Sequence, residues 1–549
     1  MHIDNNCIHT DGNRKYNTGL IMSEALFYNG IIHTMVSESD TKSYMLVRDG
    51  KILEIGEGNP KSSVQTKIDL NGQHVYPCLI DGHTHTLLTI ASMAVGFNAC
   101  EITESGVTPN TIDGIRERIT KLCSTKKEND IVVFQNYITS AIKEERLPNK
   151  KELDAWGNGR AIVVYNIDGH SMSLSSKMFA MVKKNAEQYE GPLYGEECEK
   201  TQGLIIDMIS SSLSVGDIAR GVAILQNKCA EYGIGMIGSL EGSDSETKSI
   251  TTKLYTVLAQ HFDIDVRLYL QYTSYERVKS FEKIMTHKRV GGCNDWEMDG
   301  AVGAHTAAFS IPFKDTNSAA KCYYTQKECD ELVKAFADKG YQIASHAIGD
   351  KAVEQLTNAL EKIDNGVFHR IEHGEFLNEE TYKKLLSGKY AIMMQPGYSW
   401  IDKRYLHTYD KYLQESVLEN ELKLGSLLRN DVCICGSSDS PVQDIDPYLQ
   451  MQGMTEYYAE AESITPYEAM CTYTKNAAKA MLEDDNYGTL EQGKTASFFT
   501  AGKDFFKLGS GEIISFRPSH TYYKGIEYKE KQGSVLELLS SLFTKKKMI

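Results

Sequence analysis

The chain has 549 residues, too many for one small core and enough for about three to four domain equivalents, or for one large barrel with attachments. Its 41% hydrophobic and 24% charged residues are those of an ordinary globular protein, and no window approaches the ~18–20 unbroken apolar residues of a membrane span. A net charge of -15 argues against a nucleic-acid surface and for a small-molecule ligand, although a well-solvated exterior accounts for the same number.

Met1–Ile21 is polar and reads as a disordered extension. The cysteines, from Cys7 to Cys471, fall in no zinc-knuckle or C-x-x-C frame. With no apolar signal segment near the N-terminus, a reducing cytoplasm is the expected compartment. From Ala25 to Leu70 short alternating runs follow one another, with Asn29-Gly30 and Asp49-Gly50 as hairpin turns. Residues 22–74 are therefore expected to form the first part of a β domain.

Val75–Thr86 reads as an apolar strand that ends in His83 and His85. Residues i and i+2 of a strand share a face, so the two imidazoles can hold one metal ion. On its own such a pair is as often plain polar surface. Beyond it, Asp130–Tyr137 and Arg160–Ile167 carry a separate α/β pattern, and an inserted subdomain over about 91–219, covering the site, is expected.

From Tyr232 the rhythm is regular. Strands are predicted at Gly233–Gly242, Ile264–Tyr272, Asp295–Gly303, Tyr341–Asp350, His369–Leu377, Tyr390–Trp400 and Asp431–Val442. Helices at Lys327–Lys339, Lys351–Ile363 and Glu380–Leu386 separate several of them. With the first strand this makes the eight of a distorted (β/α)8 TIM barrel over 75–486. After a helix around Tyr467–Leu482, strand patterns return at Gly488–Thr500 and Ile513–Tyr523. Residues 487–535 are expected to complete a composite N/C-terminal β-sandwich domain, and Lys545–Lys547 a solvated tail.

Four predicted strands end in metal-ligand residues: His83 and His85, then His346, His373 and Asp439. In a parallel barrel these ends converge on one mouth. Any one of these histidines is more often a satisfied side chain, but five ligand types on strand ends together point to a metal site. Imidazoles with a carboxylate suit zinc, with iron or manganese as alternatives.

Pro77-Cys-Leu-Ile-Asp-Gly-His-Thr-His85 resembles the first-strand motif of the amidohydrolase superfamily. Asp299–Ala308, His346–Asp350, Arg370–His373 and Ser438–Pro441 resemble its YtcJ-like branch (amidohydrolase family 3), which includes N-substituted formamide deformylases. Asp168–Lys177 resembles the substrate-side motif of that branch, and Gly488–Ala496 its closing β motif. The resemblance spans about Ala25 to Thr500. It implies a metal-dependent hydrolase of C–N bonds, with His83, His85, His346, His373 and Asp439 at the metal positions, and a homodimer.

Three departures stand out. Where many members carry a fourth-strand lysine that is carboxylated to bridge two metals, this chain reads Gly291-Gly-Cys-Asn-Asp-Trp-Glu-Met-Asp-Gly300. Glu297 can bridge in its place, or the site holds a single ion. His305 stands where an arginine is common, and Ser497 where an aspartate is common. The first bears on substrate contact; the second reads as structural.

The ligands imply a metal-activated water with Asp439 as general base. In a mononuclear site His373 is the histidine placed to polarise the substrate carbonyl. Asp168 and His170 are candidates for substrate contact, with the alternative that they cap a turn leading into a helix at Ser173. Glu241 is a weaker candidate, and Trp400 a candidate for pocket lining. The leading expectation is hydrolysis of a small non-peptide amide, formamide or cyclic amide. The alternatives are a deaminase of the same superfamily and a catalytically inactive barrel serving as a binding or scaffold protein.

Overall fold

In the computed structural model, which describes residues 24–58, 64–103, 105–183, 189, 191–246 and 249–549, eight strands pair in parallel and in chain order. They are β1 (Leu79–Thr84), β2 (Ile234–Glu241), β3 (Asp265–Leu270), β4 (Arg289–Glu297), β5 (Gln342–Ala347), β6 (His369–His373), β7 (Tyr390–Met394) and β8 (Cys433–Gly436). Seven of them, all but β4, are buried along their whole length. An apolar run such as Tyr390–Met394 demands this, because a strand without a polar face must be covered on both sides. The two edges meet where Thr84 bridges Ser440, His85 N donates to Ser440 O at 2.8 Å, and Asp439 N donates to His83 O at 3.0 Å. The result is a nearly closed barrel, and its seam sets His83 beside Asp439.

Outside the barrel lie α1 (Thr86–Val95), α2 (Val215–Glu231), α3 (Gln326–Ala337), α4 (Asp350–Leu360) and α5 (Glu379–Leu385). Capping boxes start α2 at Ser214/Asp217 and α3 at Thr325/Glu328, each satisfying backbone N–H groups that the first helical turn leaves open. Gly221 lets α2 press against α1, since a β-carbon there would sit 2.4 Å from Ile90 O. That contact holds the segment just after His85. Ile80, Met236, Leu240, Tyr269, Ala344, Met393 and Cys435 fill the barrel, and Met481 closes its floor. Each such large apolar side chain contributes about 1.5–3 kcal/mol on burial.

A second sheet has the order Leu193–Tyr194, Ser171–Leu174, Ala161–Asn166, Ile131–Tyr137, Gly96–Asn98. Helix Gly195–Ser212 leads from it back across the barrel mouth. A third sheet joins strands near both ends of the chain: Glu24–His33, Thr41–Arg48, Lys51–Gly56, Lys67–Asp69 and His74–Pro77 with Phe498–Ala501, His520–Tyr523 and Ile526–Glu527. These strands hydrogen-bond as one rolled sheet where a two-sheet sandwich was expected. Its far edge returns through Ile52 N to Lys494 O and Ala496 N to Gly50 O, both 2.9 Å, around a core of Phe27, Met45, Val75 and Phe498.

Other expectations need correction. Asn29-Gly30 is an irregularity inside one long strand, because a register shift between Tyr28 and Ile32 lets that strand bend and serve three partners. Val75–Thr86 divides at Cys78, its first half pairing in the rolled sheet and its second becoming β1. The strand predicted at Asp295–Gly303 begins instead at Arg289 and ends at Glu297. β7 stops at Met394, where Pro396 opens helix Pro396–Ile401. The helix expected over Tyr467–Leu482 is two, Pro466–Thr472 and Lys475–Ala480. Met1–Ile21 lies outside the described residues. Among those residues no single helix is long and apolar enough to cross a membrane.

Candidate metal centre

The C-terminal ends of β1, β5 and β6 and the turn after β8 bring His83, His85, His346, His373 and Asp439 to one spot. His83, His373 and Asp439 form a group of donor atoms all within 4.8 Å of one another. Asp439 Oδ1 lies 3.2 Å from both His83 Nε2 and His85 Nε2. The His346 and His373 rings are 4.4 Å apart between centroids, and those of His83 and His373 are 5.0 Å apart. His373 and Asp439 hold positive φ of 66° and 57°, a conformation that costs a non-glycine residue about 1–3 kcal/mol and persists where the surroundings over-determine it.

The far sides of His83, His373 and His346 are engaged. His83 Nδ1 donates to Glu372 Oε2 at 2.6 Å, His373 Nδ1 to Gln395 Oε1 at 2.7 Å, and His346 Nε2 to Gly300 O at 3.3 Å. These partners leave His373 Nε2 and His346 Nδ1 as lone pairs toward the centre; at His83 burial disfavours the charge, but Cys293 and Asp439 outweigh it and hold the ring well above the ordinary imidazole value. Glu372 is itself held by Arg370, through two hydrogen bonds of 2.8 Å, and Arg370 stacks 4.2 Å over Tyr269. Burial opposes a charge on Glu372, yet Arg370 and His83 bring its pKa down to about 2. Burial and neighbouring His83 press His373 down to about 4; burial, His373 and His170 keep His346 well below the ordinary imidazole value. Both rings are therefore neutral at pH 7, the state that binds a cation. Burial alone would raise the Asp439 carboxyl, but His83 and His85 reverse that and keep it ionised.

His373 Nε2 and Asp439 Oδ1 are buried without a hydrogen-bond partner. Unpaired buried polar atoms are rare, and two converging among imidazole lone pairs fit a divalent cation.

The remaining candidates divide. Asp168 and His170 both line the cavity over the centre. Asp168 Oδ1 also accepts from His170 N at 3.0 Å, and the segment after it is strand Ser171–Leu174, not a helix at Ser173. His170 Nδ1 lies 2.7 Å from Glu199 Oε1 and 3.9 Å from Glu297 Oε2. Burial disfavours its charge, but Glu199 and Glu297 outweigh that and lift its pKa to about 10. Burial and Glu199 push the Glu297 carboxyl well above the ordinary range. Glu297 groups with His170 and His346, on the outer side of the centre. The side chain within reach of both His83/His85 and His346/His373 is Cys293.

His305 turns away from the cavity, against Tyr412 at 4.3 Å and toward Asp315 at 2.9 Å. Glu241 is sealed behind the wall, where Oε1 accepts from Leu87 N at 3.0 Å and so caps α1. Trp400 packs beside Glu456 and Arg404; the aromatic wall is supplied by Tyr398 and Tyr409. Sequence reasoning missed Cys293, Glu372, Gln395 and Glu199. Only Cys293 carried a signal, as a donor-bearing residue in the fourth-strand stretch that has no lysine.

The cavity has two lobes, which meet at Asp168, His170, His373, Asp439 and Val442. The larger is walled by Leu88, Ala91, Val133, Ile167 and Ile209 along with the polar groups above. Among the described residues no lysine or arginine lines either lobe.

Comparison with known proteins agrees with this geometry. A model of the amidohydrolase family matches residues 66–526. The amidohydrolase YtcJ of Bacillus subtilis (strain 168) is 23% identical over 550 residues, covering 92% of this chain and 100% of the relative. The N-substituted formamide deformylase of Arthrobacter pascens is 22% identical, over 93% of this chain and 99% of its own. An uncharacterized metal-dependent hydrolase from Pyrococcus furiosus shares the fold, with a TM-score of 0.65 at 22% identity, over 88% of this chain and 100% of that one.

Proposed function

The chain belongs to the amidohydrolase family, whose members are metal-dependent hydrolases, and on that premise we propose that it cleaves the C–N bond of a small non-peptide amide, formamide or cyclic amide. The observation that carries this reading is the convergence of His83, His85 and His373 on the ionised carboxylate of Asp439 at the barrel mouth. His83, His85, His346, His373 and Asp439 would hold one or two divalent cations, zinc foremost, with iron or manganese as alternatives. A cation there supplies Lewis acidity, which polarises a carbonyl and lets a water molecule ionise near neutral pH.

The protein's own groups supply the rest. Asp439 takes the proton of the attacking water and returns it to the nitrogen as the C–N bond breaks. In the tautomer that Gln395 imposes, His373 presents a lone pair and serves as a ligand; it has no proton to give a substrate oxygen. That role suits His170, held protonated beside Glu199 and with Nε2 unpartnered among the described residues. The apolar wall of the larger lobe suits a hydrocarbon substituent on the nitrogen or acyl group. The name of the Arthrobacter relative supports a formamide as the first substrate to try.

The test is a panel of N-substituted formamides, N-acyl amines, cyclic amides and aminated heterocycles, assayed with the wild type and Asp439→Asn. Release of amine and carboxylate by the wild type, with a loss of about 10²–10⁴-fold in the variant, is expected. Ammonia release from heterocycles alone would favour deamination. Full activity in the variant would remove Asp439 as the base.

A further inference from the structure

Cys293 sits inside the barrel on β4, 5% exposed, with Sγ 3.6 Å from His83 Nε2 and 4.0 Å from His346 Nδ1. It belongs to two triads of donor atoms, one with His83 and His85 and one with His346 and His373. His373 Nε2, in the second triad, is buried and unpartnered, an independent sign that this point awaits a ligand.

The backbone is built to put the sulfur there. Gly291 and Gly292 hold φ of 95° and 121°, and a β-carbon on Gly291 would fall 1.9 Å from Ala344 O. The pairing of β4 with β5 shifts register between Gly292 and Glu297, and Cys293 N leaves the ladder to donate to Gln271 Oε1 at 2.8 Å. A bulge of this kind re-aims a side chain. Here it turns Cys293 inward between the histidines of β1 and those of β5 and β6. With metal–sulfur and metal–nitrogen bonds of about 2.3 and 2.0–2.1 Å, the S···N edge of a tetrahedral ion is about 3.5 Å, close to the His83 spacing.

We infer that Cys293 is a thiolate ligand shared by two cation subsites, one faced by His83 and His85 and the other by His346 and His373, in the seat expected for Glu297. The inference rests on the metal-hydrolase reading above. On coordination the S–H bond is replaced by sulfur–metal bonds and one proton passes to water; no oxidant or reductant is involved. A thiolate favours zinc, cobalt(II) or iron(II) over magnesium or calcium.

The full-length protein, stripped with chelator and titrated with cobalt(II), tests this without reference to turnover. A sulfur-to-cobalt charge-transfer band in the near ultraviolet is expected, lost in Cys293→Ser, together with a drop of at least about tenfold in zinc affinity. Zinc-edge X-ray absorption of the wild type provides a reading that needs no variant: a sulfur neighbour at about 2.3 Å is expected. Bound cobalt without the band, or zinc with only nitrogen and oxygen neighbours, overturns the role of Cys293 while leaving the metal centre intact. A wild type that binds neither metal overturns both.

Discussion

A ligand histidine needs one nitrogen free and the other fixed, and three of these meet that need with three different partners: a carboxylate, a side-chain amide and a backbone carbonyl. Gln395 is the replaceable one. Its Nε2 donates to Ser437 Oγ at 2.8 Å and to Met393 O at 3.1 Å, which fixes Oε1 toward His373. Gln395→Leu therefore releases the His373 tautomer, and zinc affinity is expected to fall about 10–100-fold in a competitive chelator titration. Unchanged affinity would mean that Gln395 does not orient the ring. At this scale the sequence was legible where motif and strand end coincided, as at His83, His85, His346, His373 and Asp439. It misled at His305, because a tilted ring contact with Tyr412 is decided by a short helix, Thr408–Tyr412, about a hundred positions away. Glu372, two positions from its partner Arg370 on one strand face, was hidden because either residue alone reads as an exposed charge.

Among the elements, the β1–α1 junction depends on β2. Glu241 caps α1 through Leu87 N and accepts from Ser239 Oγ at 2.6 Å, both of which favour its charge, yet burial dominates and lifts its pKa to about 8. A carboxyl with a raised folded-state pKa stabilises the fold fully below its unfolded value, near 4.5, and loses that contribution as pH rises through about 8. The wild type should accordingly lose stability between about pH 4.5 and 8, and Glu241→Gln should lose less. The difference is on the order of a few kcal/mol, at about 1.4 kcal/mol per pH unit of displacement. Melting curves across that range decide it; parallel pH profiles would contradict the assignment. The strands themselves were legible as apolar runs between turn residues. β4 was not, because its Gly291-Gly292 pair has the signature of a turn, and only contact with Ala344 and Leu240 makes it a bulged strand.

Across the whole molecule, the floor of the barrel is fastened by a buried charge cluster. Glu483 pairs with Arg267 and, at 2.8 Å, with Arg289, which is fully buried and also donates to Met481 O at 2.7 Å. Glu483→Gln leaves two buried guanidiniums short of a counter-charge, and a loss of about 3–5 kcal/mol in denaturant unfolding is expected. A loss under about 1 kcal/mol would show that water or rearrangement replaces the pair. The eight-strand count and the chain order of the barrel could be read from the sequence. The rolling of the third sheet could not, since it depends on Ile52 and Lys494 meeting across most of the chain.

The account stands on a cation held by side chains from β1, β5, β6 and the turn after β8. Metal analysis of the full-length protein, purified after growth with zinc, iron or manganese, tests it most directly when run beside a His83→Ala/His85→Ala variant of matched secondary structure. The prediction is about one to two equivalents of a single transition metal in the wild type and less than about half of that in the variant. A wild type that remains metal-free under every supplement, or a variant that retains the full complement, would contradict it.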